Sequence, residues 1–336
     1  MNFASILACL RSKYLRVLVA GGLYILSPGA YAWNATGHRE VAVVAWSELS
    51  PKAQRAIGLL LKEQTLIPNL QNLPAEEAWM AAALWPDELR EQAELSGSAV
   101  PPPKTMQQWL HRAQTGEATR RWHFADRDIA KPFNQQPVLG LLEQALAAQI
   151  QLLGDASLSQ QDRAVALAWV SHLVADAHQP LHTASRQDPA RPGQLDAGGN
   201  TVTVFDAGRR PPEPLSLHRW WDELPGHARP GTARFETETA RLLRQAQQLN
   251  NNEIATPLRH WIEESFTLAR DQVYPGLVDD PDKPGAFLIR QDYWLEGRDI
   301  TRARIALAGR RLAFIVQQAL RDLYESVRRQ GVNRKN

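Results

Sequence analysis

The 336-residue chain is nearly free of cysteine; Cys9 is the single one. It lies in an N-terminal stretch that reads as removable, so the remainder can form neither a disulfide nor a thiolate metal site. An apolar run long enough to cross a bilayer is also missing. Val17–Leu26 (VLVAGGLYIL) is about half of the ~20 residues that a spanning helix needs. An excess of one charge is missing too, with 38 Lys and Arg against 36 Asp and Glu. No global field therefore gathers polyanions, and a polyanionic substrate would have to be held by local cations or by metal. Repeats, low-complexity tracts and linkers are absent.

What is present begins with a secretory leader. Arg11, Lys13 and Arg16 precede the apolar segment, and Ala30-Tyr31-Ala32 forms a small-x-small cleavage site. Cleavage there would leave residues 33–336 as one exported domain starting at Trp33, secreted or periplasmic, with no membrane anchor. Without residues 1–32 the basic count drops by three against an unchanged 36 acids, a net charge of −1. Asn34-Ala-Thr36 matches a glycosylation acceptor, but the leader and the missing cysteines suit a bacterial source, where that match carries little meaning.

Periodicity and punctuation predict a mainly helical domain with one short β-hairpin. Helices are expected over Trp33–Leu49, from Ser50-Pro51 onward, and over Ala75–Leu95, Val138–Leu153, Ser159–His178, Leu215–Asp222, Thr232–Leu249, Pro257–Gln272 and Ile300–Val327. Ser159 with Asp162 resembles a capping box, and Pro180 ends that helix. In it, Val165, Ala168, Trp169, His172 and Asp176 form a stripe that turns from apolar to metal-binding. Ser96–Lys104 reads as a surface loop or lid, Asp188–Gly199 as an ordered loop, and Thr201–Phe205 as the β-like run.

Nine residues can be read as one metal-binding set: Trp33, His38, Asp87, His123, His172, Asp176, His182, His218 and Asp222. All offer nitrogen or oxygen, a set that suits borderline divalent ions, zinc above all. His172 with Asp176, and His218 with Asp222, are four apart and share a helix face. His182 lies beyond the Gln179-Pro180 break and can reach a different ion, joined there by His218 and Asp222. His111, His227 and His260 lack an acidic partner at ligand spacing, and Trp169, Trp220 and Trp221 read as core.

Six segments in order carry a resemblance: Trp33–His38 (WNATGH), Trp85–Arg90 (WPDELR), Trp122-His123-Phe124, His172–His182 (HLVADAHQPLH), Gly198-Gly199-Asn200 and Leu217–Asp222 (LHRWWD). They resemble the single-strand-specific zinc nucleases of the nuclease S-one/P-one type, whose all-α fold is shared with zinc-dependent phospholipase C. The resemblance implies three zinc ions per chain. One would take Asp87, His123, His172 and a bridging Asp176; its close neighbour would take His38 and the main-chain amine and carbonyl of Trp33. A third would take His182, His218 and Asp222, and His178 is not a ligand in this pattern. Two ions about 3.5–4 Å apart can ionise a shared water and clamp a phosphodiester for in-line attack. Arg90 would stabilise the transition state beside Asp87 and Asp176, Phe124 would stack a base, Asp126 would meet a base edge, and Asn200 would hold substrate near the cleft. Lys131 is a weaker candidate for a phosphate contact.

The activity implied is that of an endonuclease and 3′-nucleotidase on single-stranded DNA and RNA, acting as a monomer and leaving 5′-phosphate ends. The alternative is a phospholipase C, in which a Glu usually replaces Asp222 or a neighbouring ligand; this chain keeps Asp and adds Arg90 and Phe124-x-Asp126. An amine can ligate only once processing frees it, its reference pKa near ~8 letting metal displace the proton. A chain carrying one extra residue before Trp33 is therefore expected to lose zinc and turnover relative to one starting at Trp33. Elemental analysis and hydrolysis assays on the two forms test this, and full activity in the extended form would remove the amine from the coordination set.

Overall fold

A computed structural model describes residues 33–92, 101–208 and 213–333, with side chains to residue 321. The leader over 1–32 and residues 96–100 of the expected lid lie outside the described residues. The molecule is 60% helix and 7% strand, the mainly helical domain that periodicity foretold.

At its centre stands α7 (Gln160–His178), and every residue from Ala164 to His178 is buried. Its sequence AVALAWVSHLVADAH is apolar on all sides, so it has no solvent face to keep wet. The expected stripe is thus one strip of a fully enclosed shaft. Ser159 caps it, its hydroxyl accepting from the Asp162 N–H at 3.1 Å. The same hydroxyl donates to the Asp162 carboxylate at 2.8 Å, so the expected capping box is half formed. Around α7 pack α1 (Ala35–Glu48), α2 (Pro51–Glu63), α5 (Met106–Thr115), α6 (Leu142–Gly154), α11 (Leu258–Leu268) and the long α12 (Gln291–Asn333). Trp109, Trp122 and Trp169 line up with ring centroids 4.9 and 4.7 Å apart, and Trp169 reaches His123 at 5.7 Å. This aromatic wall backs the site. Gly309 lets α12 close on α1, since a Cβ there would lie 2.5 Å from Val44.

Several boundaries differ from expectation, each for a physical reason. The segment Ala75–Leu95 is not one helix but α3 (Ala75–Ala82) and α4 (Trp85–Gln92). Pro86 has no N–H to continue the ladder, and Asp87 N–H turns back to Leu84. Helix α5 was not anticipated, and α12 begins at Gln291 rather than Ile300. The expected hairpin is present as β3 (Thr203–Asp206) and β4 (Pro214–Ser216), so α8 (Leu217–Asp222) starts two residues after the expected Leu215, capped by Ser216. The structure widens that hairpin with β6 (Phe287–Ile289), parallel to β3, and β5 (Val278–Asp279). A second pair joins β1 (Ala125–Asp126) to β2 (Leu139–Gly140). These added strands are two to four residues long, too short to print a period in sequence. After α8 come α9 (Ala233–Gln248), packed on α12 and α1, and the single turn α10 (Asn251–Ile254), packed on α12.

One buried polar knot ties α7 to α11 and α12. Arg311, fully buried, donates to both oxygens of Glu264 (2.7 and 2.8 Å), to the Glu253 carbonyl, to Thr256 and to His178 Nε2 at 2.9 Å. Arg304 adds a bond to Glu264 at 2.8 Å. His178 donates through Nδ1 to Val174 O, and burial with the two arginines holds it neutral. The partners hold the Glu264 carboxyl below its usual range despite burial. An Arg311→Met variant is expected to lose about 1–3 kcal/mol of stability, because Glu264 keeps Arg304 but loses its two-pronged partner, and the Glu253 carbonyl and Thr256 lose their donor. Glu264 titrates lower in the folded chain than unfolded, so its pairing is fully present above the unfolded value near ~4.3 and is lost as pH falls through the folded value. The gap in melting temperature between wild type and variant should therefore shrink in acid; calorimetry across pH measures it, and a pH-independent gap would contradict the pairing.

Candidate metal centre

Three interruptions of regular structure aim the histidines. At the α3–α4 break, Ala83 O accepts from His172 Nδ1 at 2.9 Å. Past the end of α7, Pro180–His182 forms a single tight turn, and His182 Nδ1 donates to His123 O at 2.6 Å. In the loop before β3, Gly198 O accepts from His218 Nδ1 at 2.8 Å. A carbonyl can only accept, so each Nδ1 carries the proton and each Nε2 turns a lone pair inward.

Those lone pairs converge. His182 Nε2 and His218 Nε2 stand 3.1 Å apart, with Asp222 Oδ2 at 3.6 Å from the latter. His172 Nε2 lies 3.1 Å from His123 Nδ1, 3.5 Å from Asp176 Oδ2 and 3.6 Å from Asp87 Oδ1. Asp176 Oδ2 is 2.9 Å from His123 Nδ1, whereas its Oδ1 faces His38 Nε2 at 3.7 Å. His38 stacks on His172 with centroids 4.1 Å apart. The resulting groups able to hold an ion are His38-Asp87-His172, His123-His172-Asp176 and His182-His218-Asp222, all buried.

Protons do not satisfy these groups. Burial, then neighbouring imidazoles and Arg90, hold His38 and His123 far below the ordinary histidine value. Burial puts His218 at about 4 and lowers His182 and His172 as well. Burial raises the Asp176 and Asp222 carboxyls. Both nitrogens of His38, Nε2 of His123, and Oδ1 of Asp87 and Asp176 have no hydrogen-bond partner. A cation reverses the carboxyl shifts and gives the facing lone pairs something to bind, so the residues present fit metal.

All eight His and Asp donors expected from sequence are drawn into these groups. The side chain of Trp33, the ninth, is buried and packs on Gly37, where a Cβ would lie 2.5 Å from Trp33 Cβ. The next residue ties this segment to the third group through Asn34 N–H to Asp222 O at 2.9 Å. Arg90 is buried with Nη2 3.3 Å from Asp87 Oδ1, and its charge acts on each of the five histidines in the groups and on Asp176 and Asp222. Phe124 is half-buried and stacks on His182 at 4.7 Å. Burial and Asp196 raise the Asp126 carboxyl well above its ordinary range, against the Ser185 hydrogen bond and the Arg127 charge that lower it. Asn200 uses its amide to hold Ala197 O at 2.8 Å. Gly198 and Gly199 approach Leu181 O and the Leu217 side chain rather than open space: a Cβ on Gly198, at φ +64°, would lie 2.3 Å from that carbonyl. Lys131 is exposed and pairs with Asp128 at 3.5 Å. His111, His227 and His260 are exposed, and against expectation each faces an acid: Glu117 at 3.5 Å, and Glu223 and Glu264 at i,i+4 spacing, 4.0 and 3.3 Å away; among the described residues none of them joins a group of three donors. Trp169, Trp220 and Trp221 are core.

Sequence reasoning missed Gln179. Its Nε2 donates to Asp222 Oδ1 at 2.7 Å while its Oε1 accepts from Leu181 N–H at 2.5 Å. Its place beside Pro180 in the HQPLH segment was the available signal. The three orienting carbonyls belong to the main chain and leave none.

A family model described as S1/P1 Nuclease matches residues 33–321. Among known proteins, Endonuclease 4 of Arabidopsis thaliana is 26% identical across 90% of this chain and 93% of its own length. Endonuclease 2 of the same plant is 25% identical across 61% of this chain and 60% of its own length.

Replacing Gln179 by Ala frees Asp222 to rotate without touching the histidines. Metal affinity of the His182-His218-Asp222 group is expected to fall about 10–100-fold, the usual effect of losing a partner behind a ligand. Titration against a competing chelator measures it, and unchanged affinity would leave Gln179 a purely structural residue.

Proposed function

The chain belongs to the S1/P1 nuclease family, an endonuclease hydrolase with buried His/Asp groups suited to metal, and on that premise we propose the finer activity. It is an exported enzyme with three zinc ions that cleaves single-stranded DNA and RNA and 3′-nucleotides, leaving 5′-phosphate products. The observation that carries the reading is the His182 Nε2–His218 Nε2 separation of 3.1 Å, two neutral imidazoles with lone pairs opposed. Only a cation between them makes that arrangement favourable at neutral pH.

In this reading Asp87, His123 and His172 would hold one ion, and His38 with the freed amine and carbonyl of Trp33 would hold its neighbour. Asp176, whose Oδ2 faces His123 and whose Oδ1 faces His38, would serve both. His182, His218 and Asp222 would hold the third. When bound, zinc ionises water near neutral pH and neutralises phosphodiester oxygens. Arg90 adds a fixed positive charge where negative charge grows on phosphorus, in a buried setting that strengthens its effect. Phe124 presents its ring to an unpaired base, worth about 1–3 kcal/mol and available only when the base is out of its stack. Asp126 meets a base edge beside it. Asn200 holds the loop that carries the Gly198 carbonyl and borders the strand. Export follows from the leader, which frees the Trp33 amine.

The test compares denatured DNA, duplex DNA and phosphatidylcholine vesicles as substrates for the zinc-loaded protein. Cleavage of denatured DNA well ahead of duplex is expected, with no lipid hydrolysis; lipid cleavage without nucleic-acid cleavage would overturn the reading in favour of a phospholipase C. An Arg90→Ala variant should keep its zinc and lose about 10²–10³-fold in kcat, the usual cost of a transition-state donor. Unchanged turnover would remove Arg90 from the mechanism.

A further inference from the structure

The loop that orients His218 carries two glycines at positive φ, Gly198 at +64° and Gly199 at +79°. Glycine gives such a turn its shape but not its rigidity, because its backbone has the widest choice of angles. Yet Gly198 O must stay in place to hold the His218 ring, and Gly199 O accepts from His218 N–H at 3.4 Å. Asp196, fully buried, supplies the missing anchor. Its Oδ1 accepts from Gly199 N–H at 3.0 Å, from Arg186 N–H at 3.2 Å and from the Tyr274 hydroxyl at 3.0 Å. Gly199 N–H and Gly198 C=O are the two ends of one planar peptide, so gripping the first fixes the direction of the second. Asp196 is itself pinned, its N–H donating to Arg186 O at 2.9 Å and its carbonyl accepting from Thr201 N–H at 3.2 Å. Beside it the buried Ser185 hydroxyl accepts from Gly198 N–H at 2.7 Å.

Tyr274 reaches this loop from another element. After α11 the chain widens into a π turn, Ala269–Val273, in which Tyr274 N–H reaches back five residues to Ala269 O at 3.1 Å. The wider turn shifts Tyr274 round the axis from where a plain α-helix would leave it, and such turns are frequent at functional sites. The Arg186 guanidinium lies 5.3 Å from the Tyr274 ring centre and 4.9 Å from that of Phe287, with its Nε 3.5 Å from Asp196 Oδ2. Tyr274 is thus buried with its hydroxyl on the Asp196 carboxylate.

We propose that Asp196 and Tyr274 are positioning residues for the ion of the His182-His218-Asp222 group. The Tyr274 hydroxyl holds the Asp196 carboxylate, the carboxylate holds the Gly198–Gly199 peptide, and that peptide holds His218 Nδ1–H. His218 Nε2 is thereby kept aimed at His182 and Asp222. Each link orients and polarises the next, as in other buried hydrogen-bond chains. The role rests on the zinc reading above.

Three variants test it. Tyr274→Phe removes one hydroxyl and keeps the ring, Asp196→Ala removes the acceptor, and Asp196→Asn keeps an accepting oxygen. Each full chain is loaded with zinc(II) and stripped by a competing chelator; the release step missing from a His218→Ala variant marks the third group. Affinity in that step is expected to fall about 10–100-fold in Asp196→Ala, the usual effect of losing a partner behind a ligand. In Tyr274→Phe it should fall about five-fold, the usual worth of one hydrogen bond. Asp196→Asn should keep most of the affinity that Asp196→Ala loses, and the other two ions should bind as in the wild type. Unchanged affinity at the third group, an equal loss at all three ions, or an equal loss in Asp196→Asn and Asp196→Ala would each overturn the role. A wild type that takes up no zinc defeats the zinc reading, and the role with it. Should Asp196→Ala fold poorly, Tyr274→Phe decides, since it preserves the packing of the ring.

Discussion

Three main-chain carbonyls, those of Ala83, His123 and Gly198, each take one imidazole N–H and so decide what the opposite nitrogen can do. Without them His172, His182 and His218 could adopt either tautomer and rotate. With them, three Nε2 lone pairs are committed to pointing at other acceptors. The resulting repulsion, added to carboxylates in a dry interior, costs free energy that a divalent cation returns on binding. The rest of the centre follows from this: neutral histidines, carboxyls that would protonate if left bare, and orphaned nitrogens on His38 and His123.

The carbonyls become available because helices and loops are broken at defined places. Pro86 ends the ladder after α3 and frees Ala83 O. Pro180 forces the turn that sends His182 back toward His123. Glycine at positive φ lets residues 198 and 199 press against Leu181 and Leu217, so that Gly198 O reaches His218. The α7 shaft then supplies rigidity, since a helix enclosed from Ala164 to His178 leaves His172 and Asp176 little room to move. Gln179, just beyond it, carries that rigidity across to Asp222.

His172 and His178 lie on the same helix and serve opposite ends. His172 gives its free nitrogen to the centre, whereas His178 gives its own to Arg311, inside the Glu264 knot that fastens α7 to α11 and α12. Burial lowers the pKa of both; Asp87 opposes it at His172, whereas Arg304 and Arg311 add to it at His178. What separates a ligand from a structural residue here is the group the second nitrogen meets.

The amino-acid sequence by itself determined the helical class and pointed to the eight His and Asp residues that the fold gathers into three buried groups, because His and Asp four apart on a helix, or flanking a proline, are local patterns. It also marked His178, His111, His227 and His260 as lying outside the set. Only the tertiary structure decided the break after Ala83, the strands that widen the hairpin, the part played by Gln179, and the partners of Gly198 and Gly199. Those features depend on which main-chain groups meet across the fold, and a main-chain carbonyl is the same in every residue.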